Sequence, residues 1–188
     1  TALSETCHKY GLYLFLDGAR LGYGLAAPDN DLTLPEIAAL CDVFYIGGTK
    51  VGALFGEAVV IKNPELAQDF RYLIKQNGGM LAKGRLLGLQ FDALFTDGLY
   101  QEISAHAIAM AEKLREAFTA KGYNYLAPNR TNQIFVIVPD AHLAKISEQF
   151  EYSYDQRIDA THSCVRFCTS WATKEENVDA LIRCVEKL

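Results

Sequence analysis

The chain has 188 residues, half of them hydrophobic and 22% charged, with a formal net charge of −5. That composition supplies a packed core for one to two domains. The acidic balance argues against nucleic acid, or an anionic membrane surface, as the main partner. The five cysteines (Cys7, Cys41, Cys164, Cys168 and Cys184) show no zinc-like spacing and read as reduced thiols of a cytosolic protein.

No stretch reads as a signal peptide or a membrane span, and there is no initiating Met. Leu3, Cys7 and Tyr10 fall at helical spacing with Gly11 as a natural stop, so the chain is expected to open on the tail of a helix. The run LYLFL at 12–16 reads as a strand buried on both faces, ending at Asp17-Gly18-Ala19-Arg20. A helix is expected over 31–41, with a Thr33/Glu36 capping box and Pro35 in its first turn. Strands follow at 43–46 and 58–61. Asn63-Pro64-Glu65 opens a helix to about residue 76, broken by Asn77-Gly78-Gly79.

Residues 86–95 continue helically. Asp97 is expected to cap a long helix ending near Lys121-Gly122, with Ile103, Ala107, Met110, Ala111, Leu114 and Phe118 as its core stripe. After Gly122 the pattern changes to a strand at 133–138, a helix at 141–149, an alternating strand at 151–154 and a strand at 165–170. A final helix at 173–187 carries a Thr173/Glu176 capping box. That order makes a small α+β layer joined to the first part by the long helix.

Residues 42–57, DVFYIGGTKVGALFGE, hold the most informative lysine. Glycines flank Lys50 on both sides, apolar residues surround it, and no acid lies between Asp42 and Glu57. Glycines admit a bulky planar group close to the backbone. An apolar setting pushes an ammonium towards the nucleophilic amine of a Schiff-base lysine. A surface lysine on a Gly-rich turn is the alternative. Asp17 and Lys50 end two neighbouring apolar strands with a helix between, so both emerge at one sheet edge. An acid facing a reactive lysine is what pyridoxal phosphate requires. Asp17 also reads as a turn residue before glycine.

LYLFLDGARLGYGLAA, CDVFYIGGTKVGALFGEAVVI, FRYLIKQNGGMLAKGRLLGLQF and HSCVRFCTSWATKEENVDAL resemble the threonine aldolase group of pyridoxal-phosphate enzymes, aldolases and β-eliminating lyases of the aminotransferase-like fold. The resemblance covers essentially the whole chain. It implies an α/β fold: part of the fold type I large domain over 1–98, and a small C-terminal α+β domain over 99–188. It makes Lys50 the Schiff-base lysine and Asp17 the partner of the pyridine nitrogen. Arg20 would lie beside the ring and share the substrate carboxylate with Arg166. Thr49 would donate to the cofactor phosphate.

Arg71, Lys75, Lys83 and Arg85 lie in a stretch without an acid, and Lys83 or Arg85 would reach a neighbouring subunit's phosphate in a homodimer or homotetramer with shared sites. Many relatives carry Arg after GGM, where this chain has Leu81. His8, His106 and His142 are weak signals, His162 lies four residues from Arg166 and so near the substrate, and no metal site is expected.

The resemblance also implies an N-terminal half that supplies a phosphate cradle and a stacking ring. These residues therefore read as the C-terminal portion of a cytoplasmic lyase, inactive alone, that cleaves a β-hydroxy-α-amino acid such as threonine to glycine and an aldehyde. A β-eliminating lyase or aminotransferase on the same scaffold, and a non-catalytic interaction module, are the rival readings.

Overall fold

The computed structural model describes residues 1–188. They form two units, one of residues 1–25 with 30–102 and one of residues 26–29 with 103–188. The first contains the parallel strand–helix–strand arrangement expected of an α/β domain, and the second is an α+β layer with an antiparallel sheet. No helix is long and apolar enough to cross a membrane.

In the first unit, α1 (Ala2–Lys9) ends just before Gly11, which turns the chain at φ +65°. β1 (Phe15–Leu16) then leads through α2 (Leu21–Leu25) and α3 (Leu34–Leu40) to β2 (Val43–Gly47). β1 and β2 are parallel, with Leu16 opposite Phe44. β3 (Glu57–Ile61) pairs antiparallel on the far side, giving the order β1-β2-β3. The strand expected over 12–16 shrinks to two residues and is not buried on both faces: Phe15 is 58% exposed, and Leu12 and Tyr13 are exposed with it. β1 lies at the sheet's edge with one neighbour, so one side of its backbone has no strand partner within this unit.

Helix α3 begins at Leu34 because Thr33 stands at its cap, where Thr33 N and Oγ1 both donate to Glu36 Oε2 at 2.7 and 2.6 Å. The helix expected over 63–76 divides in two. Asn63 Oδ1 caps α4 (Pro64–Ala67) by accepting from Glu65 N at 3.0 Å, and Asp69 at φ +57° then breaks the run before α5 (Phe70–Gln76). A left-handed residue cannot continue a right-handed helix. α6 (Arg85–Phe95) follows. Asp97 and Gly98 are both left-handed (φ +50° and +76°) and make the turn before the long helix α7 (Leu99–Ala120), which passes from one unit into the other.

The second unit adds β4 (Asn124–Tyr125), β5 (Gln133–Pro139), α8 (Asp140–Ile146), β6 (Ser153–Arg157), β7 (His162–Cys168) and α9 (Glu175–Glu186). Its antiparallel sheet runs β4-β5-β7-β6. β5 alternates half-buried and buried, so Ile134, Val136 and Val138 face a core shared with Leu114 and Phe118 of α7, Ile146 of α8 and Val178 and Leu181 of α9. Each such side chain taken out of water contributes about 1.5–3 kcal/mol.

The short strand β4 has no sequence signal strong enough to have been expected. β6 lies a little after its expected place, is exposed throughout and slips register between Tyr154 and Gln156. α9 starts at Glu175 without the expected capping box, because Thr173 Oγ1 instead accepts from Ser170 N at 2.8 Å.

Candidate active site

Asp17 and Lys50 do emerge at one edge of the three-stranded sheet, each just past the end of one of two parallel neighbours. One residue beyond the Leu16–Phe44 pair, Asp17 stands beside Tyr45. Its Oδ1 accepts from Ala19 N at 3.1 Å and from the Tyr45 hydroxyl. Both bonds hold Asp17 below the usual carboxylate range, Tyr45 most strongly, and the charges of Lys50 and Arg20 add to them. Lys50 thus acts on Asp17 through space, while the carboxylate's hydrogen bonds go elsewhere.

The glycines around this pair let the protein's own backbone segments pack closely. A Cβ on Gly18 would sit 1.7 Å from Tyr45 O, and one on Gly47 would sit 2.4 Å from Ala19 O. The segment after β1 and the end of β2 are pressed together, and Gly47 N donates to Gly18 O at 2.9 Å. A Cβ on Gly48 would meet Gly56 O and Phe91 Cζ, both at 2.8 Å.

The loop after Gly47 is pinned from several sides. Val51 is fully buried and anchors it. Val51 N and Ala53 N both donate to Gly48 O, and Gly48 N donates to Glu57 Oε2 at 3.0 Å. Two buried tyrosines reach in from helices. Tyr23 of α2 donates to Lys50 O at 2.5 Å, and Tyr100 of α7 donates to Gly47 O at 3.2 Å while accepting from Gly22 N at 3.0 Å. The backbone at Lys50 is therefore fixed while its side chain stays exposed. Exposure corrects the expected apolar enclosure: Val51 and Ala53 are buried, whereas Lys50 is exposed. Thr49 is exposed beside it, and Arg20 is half-buried just before α2.

Tyr45, Tyr23 and Tyr100 were not singled out from the sequence. Only the strand register puts Tyr45 against Asp17, and only the helix packing brings the other two hydroxyls to the loop.

Lys83 and Arg85, with Arg71 and Lys75, are exposed on α5, α6 and the segment joining them. None of them is among the charges acting on Asp17. Arg166 lies in the second unit on β7, opposite Phe135 and Ser153. Its Nη1 donates to Gln133 Oε1 at 3.2 Å and its Nη2 to Ser153 Oγ at 3.4 Å, while Nε is buried without a partner. A half-buried guanidinium held by neutral groups alone keeps its charge available for an anion. His162 is bound to Asp159 and Thr161, and His8, His106 and His142 each have a protein partner. No group of side chains is arranged to hold a metal.

The donor set suits a planar cofactor that carries an aldehyde and a protonated ring nitrogen. The amine is exposed, and the acid beside it has both hydrogen bonds on Oδ1, leaving Oδ2 for a ring N–H.

The lysine and the acid share one edge of an α/β sheet, and comparison with known proteins gives the family. Residues 1–141 match the family model of the beta-eliminating lyases. The chain belongs to that family. It is 32% identical over 184 residues to a low specificity L-threonine aldolase of Pseudomonas sp., covering 96% of this chain and 51% of that protein. It is 30% identical to the low specificity L-threonine aldolase of Pseudomonas aeruginosa, covering 97% of this chain and 52% of that one. The chain thus spans about half the length of these relatives. A solved structure of Leishmania major threonine aldolase superposes with a TM-score of 0.96 at 42% identity, over 98% of this chain and 54% of that one. Serine palmitoyltransferase from Sphingomonas wittichii shares the fold alone, with a TM-score of 0.69 at 16% identity.

Proposed function

We propose that the protein to which these residues belong is a pyridoxal-phosphate-dependent aldehyde-lyase that splits β-hydroxy-α-amino acids such as threonine or allo-threonine into glycine and an aldehyde. The observation that carries the reading is the exposed Lys50 amine at the same sheet edge as an acid held ionised, in a chain whose relatives are named threonine aldolases. Bound here, pyridoxal phosphate would supply an electron sink conjugated to the substrate's α-carbon.

The protein's own groups divide the remaining work. Lys50 Nζ is the amine that holds the cofactor's aldehyde, and its backbone is kept in place by Tyr23 and Tyr100. Asp17 would accept the ring N–H and so favour the protonated ring. Arg20 and Arg166 take the substrate carboxylate, which a guanidinium binds in bidentate fashion. Thr49 Oγ1 donates to the cofactor phosphate, and Lys83 offers a phosphate contact to a neighbouring subunit. On this reading residues 1–98 belong to a large cofactor-binding domain and residues 99–188 form a small domain. The enzyme is cytoplasmic and works as a homodimer or homotetramer.

The test is glycine formation from threonine, allo-threonine and phenylserine by the full-length protein. Release of glycine with the matching aldehyde is expected. Conversion to a keto acid and ammonia without glycine would overturn the cleavage reading in favour of β-elimination.

A further inference from the structure

We propose that Tyr45 is a positioning residue for Asp17: its hydroxyl holds one carboxylate oxygen, so that the proton shared between Asp17 and the cofactor rests on the ring nitrogen. The proposal deepens the reading above and rests on it for the identity of the cofactor.

The geometry is built into the sheet. β2 is the central strand, and Tyr45 is paired with Val59 of β3 on one side while β1 runs along the other. The Tyr45 ring packs against Phe15 of β1, with centroids 6.1 Å apart. The hydroxyl meets Asp17 Oδ1, which also accepts from Ala19 N. Two donors on one oxygen restrict the rotation of the carboxylate and leave Oδ2 without either of those bonds.

Asp17 holds the Tyr45 phenol proton, raising it to about 12 with help from burial and the charge of Glu57, so Tyr45 remains a donor throughout the neutral range. Lys50 and Arg20 are the other charged groups acting on Asp17, and both favour its anion. Neither does so through a hydrogen bond to Oδ1.

Without the hydroxyl, Asp17 becomes a stronger base. A proton shared between a ring nitrogen and a carboxylate then moves towards the carboxylate, and the ring withdraws electrons less strongly. No bond other than the one to that proton is made or broken.

The experiment uses the full-length protein with and without pyridoxal phosphate. In the cofactor-free protein, carboxyl carbon NMR follows the titration of Asp17. In the loaded protein, nitrogen NMR of labelled pyridoxal phosphate reports the ring proton. Tyr45→Phe is expected to raise the Asp17 midpoint and to move the ring-nitrogen resonance towards its unprotonated position. A monofluorinated tyrosine at position 45, a stronger donor, is expected to move both the opposite way and decides the matter should the phenylalanine variant not fold. A purely structural tyrosine would change the melting temperature and leave both resonances in place, and that result overturns the proposal. An unmoved Asp17 midpoint also overturns the proposal, whatever the ring-nitrogen resonance does. A wild-type protein that forms no lysine-linked cofactor overturns the functional reading instead.

Discussion

The two units treat their apolar side chains in opposite ways. In the second, Phe118, Ile134, Val136, Val138, Ile146 and Val165 have no exposure at all, and the sheet and its helices close one continuous core. In the first, Leu54 is 85% exposed a few residues from Lys50, and Phe15, Phe55, Val59, Tyr72 and Leu89 also lie open. An apolar cleft of about 320 Å³, lined by Leu3, Leu14, Leu16, Ile37 and Leu40, adds to that surface. Apolar surface gathered in this way marks a face that works when covered. The second unit carries its own stability, and the first carries Lys50 and Asp17 on a sheet that is not closed.

The sharpest test of that division sets an exposed functional side chain against a buried structural one. Lys50→Ala in the full-length protein is expected to abolish both the visible cofactor band and the adduct trapped by borohydride. Unfolding stability of the cofactor-free protein should stay within about 0.5 kcal/mol, since the side chain is exposed. A trapped adduct that persists in the variant would remove Lys50 from its role. Phe118→Ala is the converse. It empties a fully buried site in the second core and should destabilise by about 3–5 kcal/mol in denaturant unfolding. Leu54→Ala in the first unit should cost almost nothing by the same measurement. Equal costs for these two would erase the contrast.

The same contrast explains what could be read from the sequence. Core elements of the second unit are visible because burial imposes period: 133–138 alternates and the α7 stripe repeats at helical spacing, and both are found. The βαβ order that brings Asp17 and Lys50 to one edge is visible too, because buried strands and a capped helix leave local marks. Strand ends are less legible. The length of β1 depends on what lies beside it, and the break at Asp69 needs a left-handed residue that no neighbouring glycine or proline announces. Tyr45 escapes for a different reason. On a strand of valine, phenylalanine and isoleucine a tyrosine looks like one more core residue, and its contact with Asp17 spans 28 positions.

Smaller effects separate the lysine loop from the rest of its unit. Tyr100→Phe removes a buried hydroxyl that serves Gly47 O and Gly22 N together. Leaving those groups without it should cost about 1–3 kcal/mol. The same change should slow borohydride trapping at Lys50, because the loop that carries the amine loses one of its fixings. Thr33→Ala, at the cap of α3, should cost about 0.5–2 kcal/mol and leave trapping unchanged, since that bond lies in the same unit away from the loop. Slower trapping in Thr33→Ala would show that any loosening of the first unit reaches Lys50, and the tyrosine contacts would lose their special place.

The smallest expected effect lies outside the closed core of the second unit. Asp159 accepts from Thr161 N at 2.7 Å and is also bonded to His162, and its pKa falls from 3.8 to about 2, chiefly through the Thr161 amide. A carboxylate depressed in the folded state binds its proton more readily when unfolded. Its contribution is therefore complete above about pH 4 and is lost as pH falls towards 2. Asp159→Asn should flatten the acid limb across that window by lowering stability above about pH 4 while leaving it little changed near pH 2, and the drop should be small because the group is exposed and solvent screens its charge. Denaturant midpoints taken from pH 5 to pH 2 measure it. An unaltered acid limb would place the acid sensitivity of the second unit elsewhere, with Asp140, held by Ser163 and Arg157, as the next carboxylate to replace.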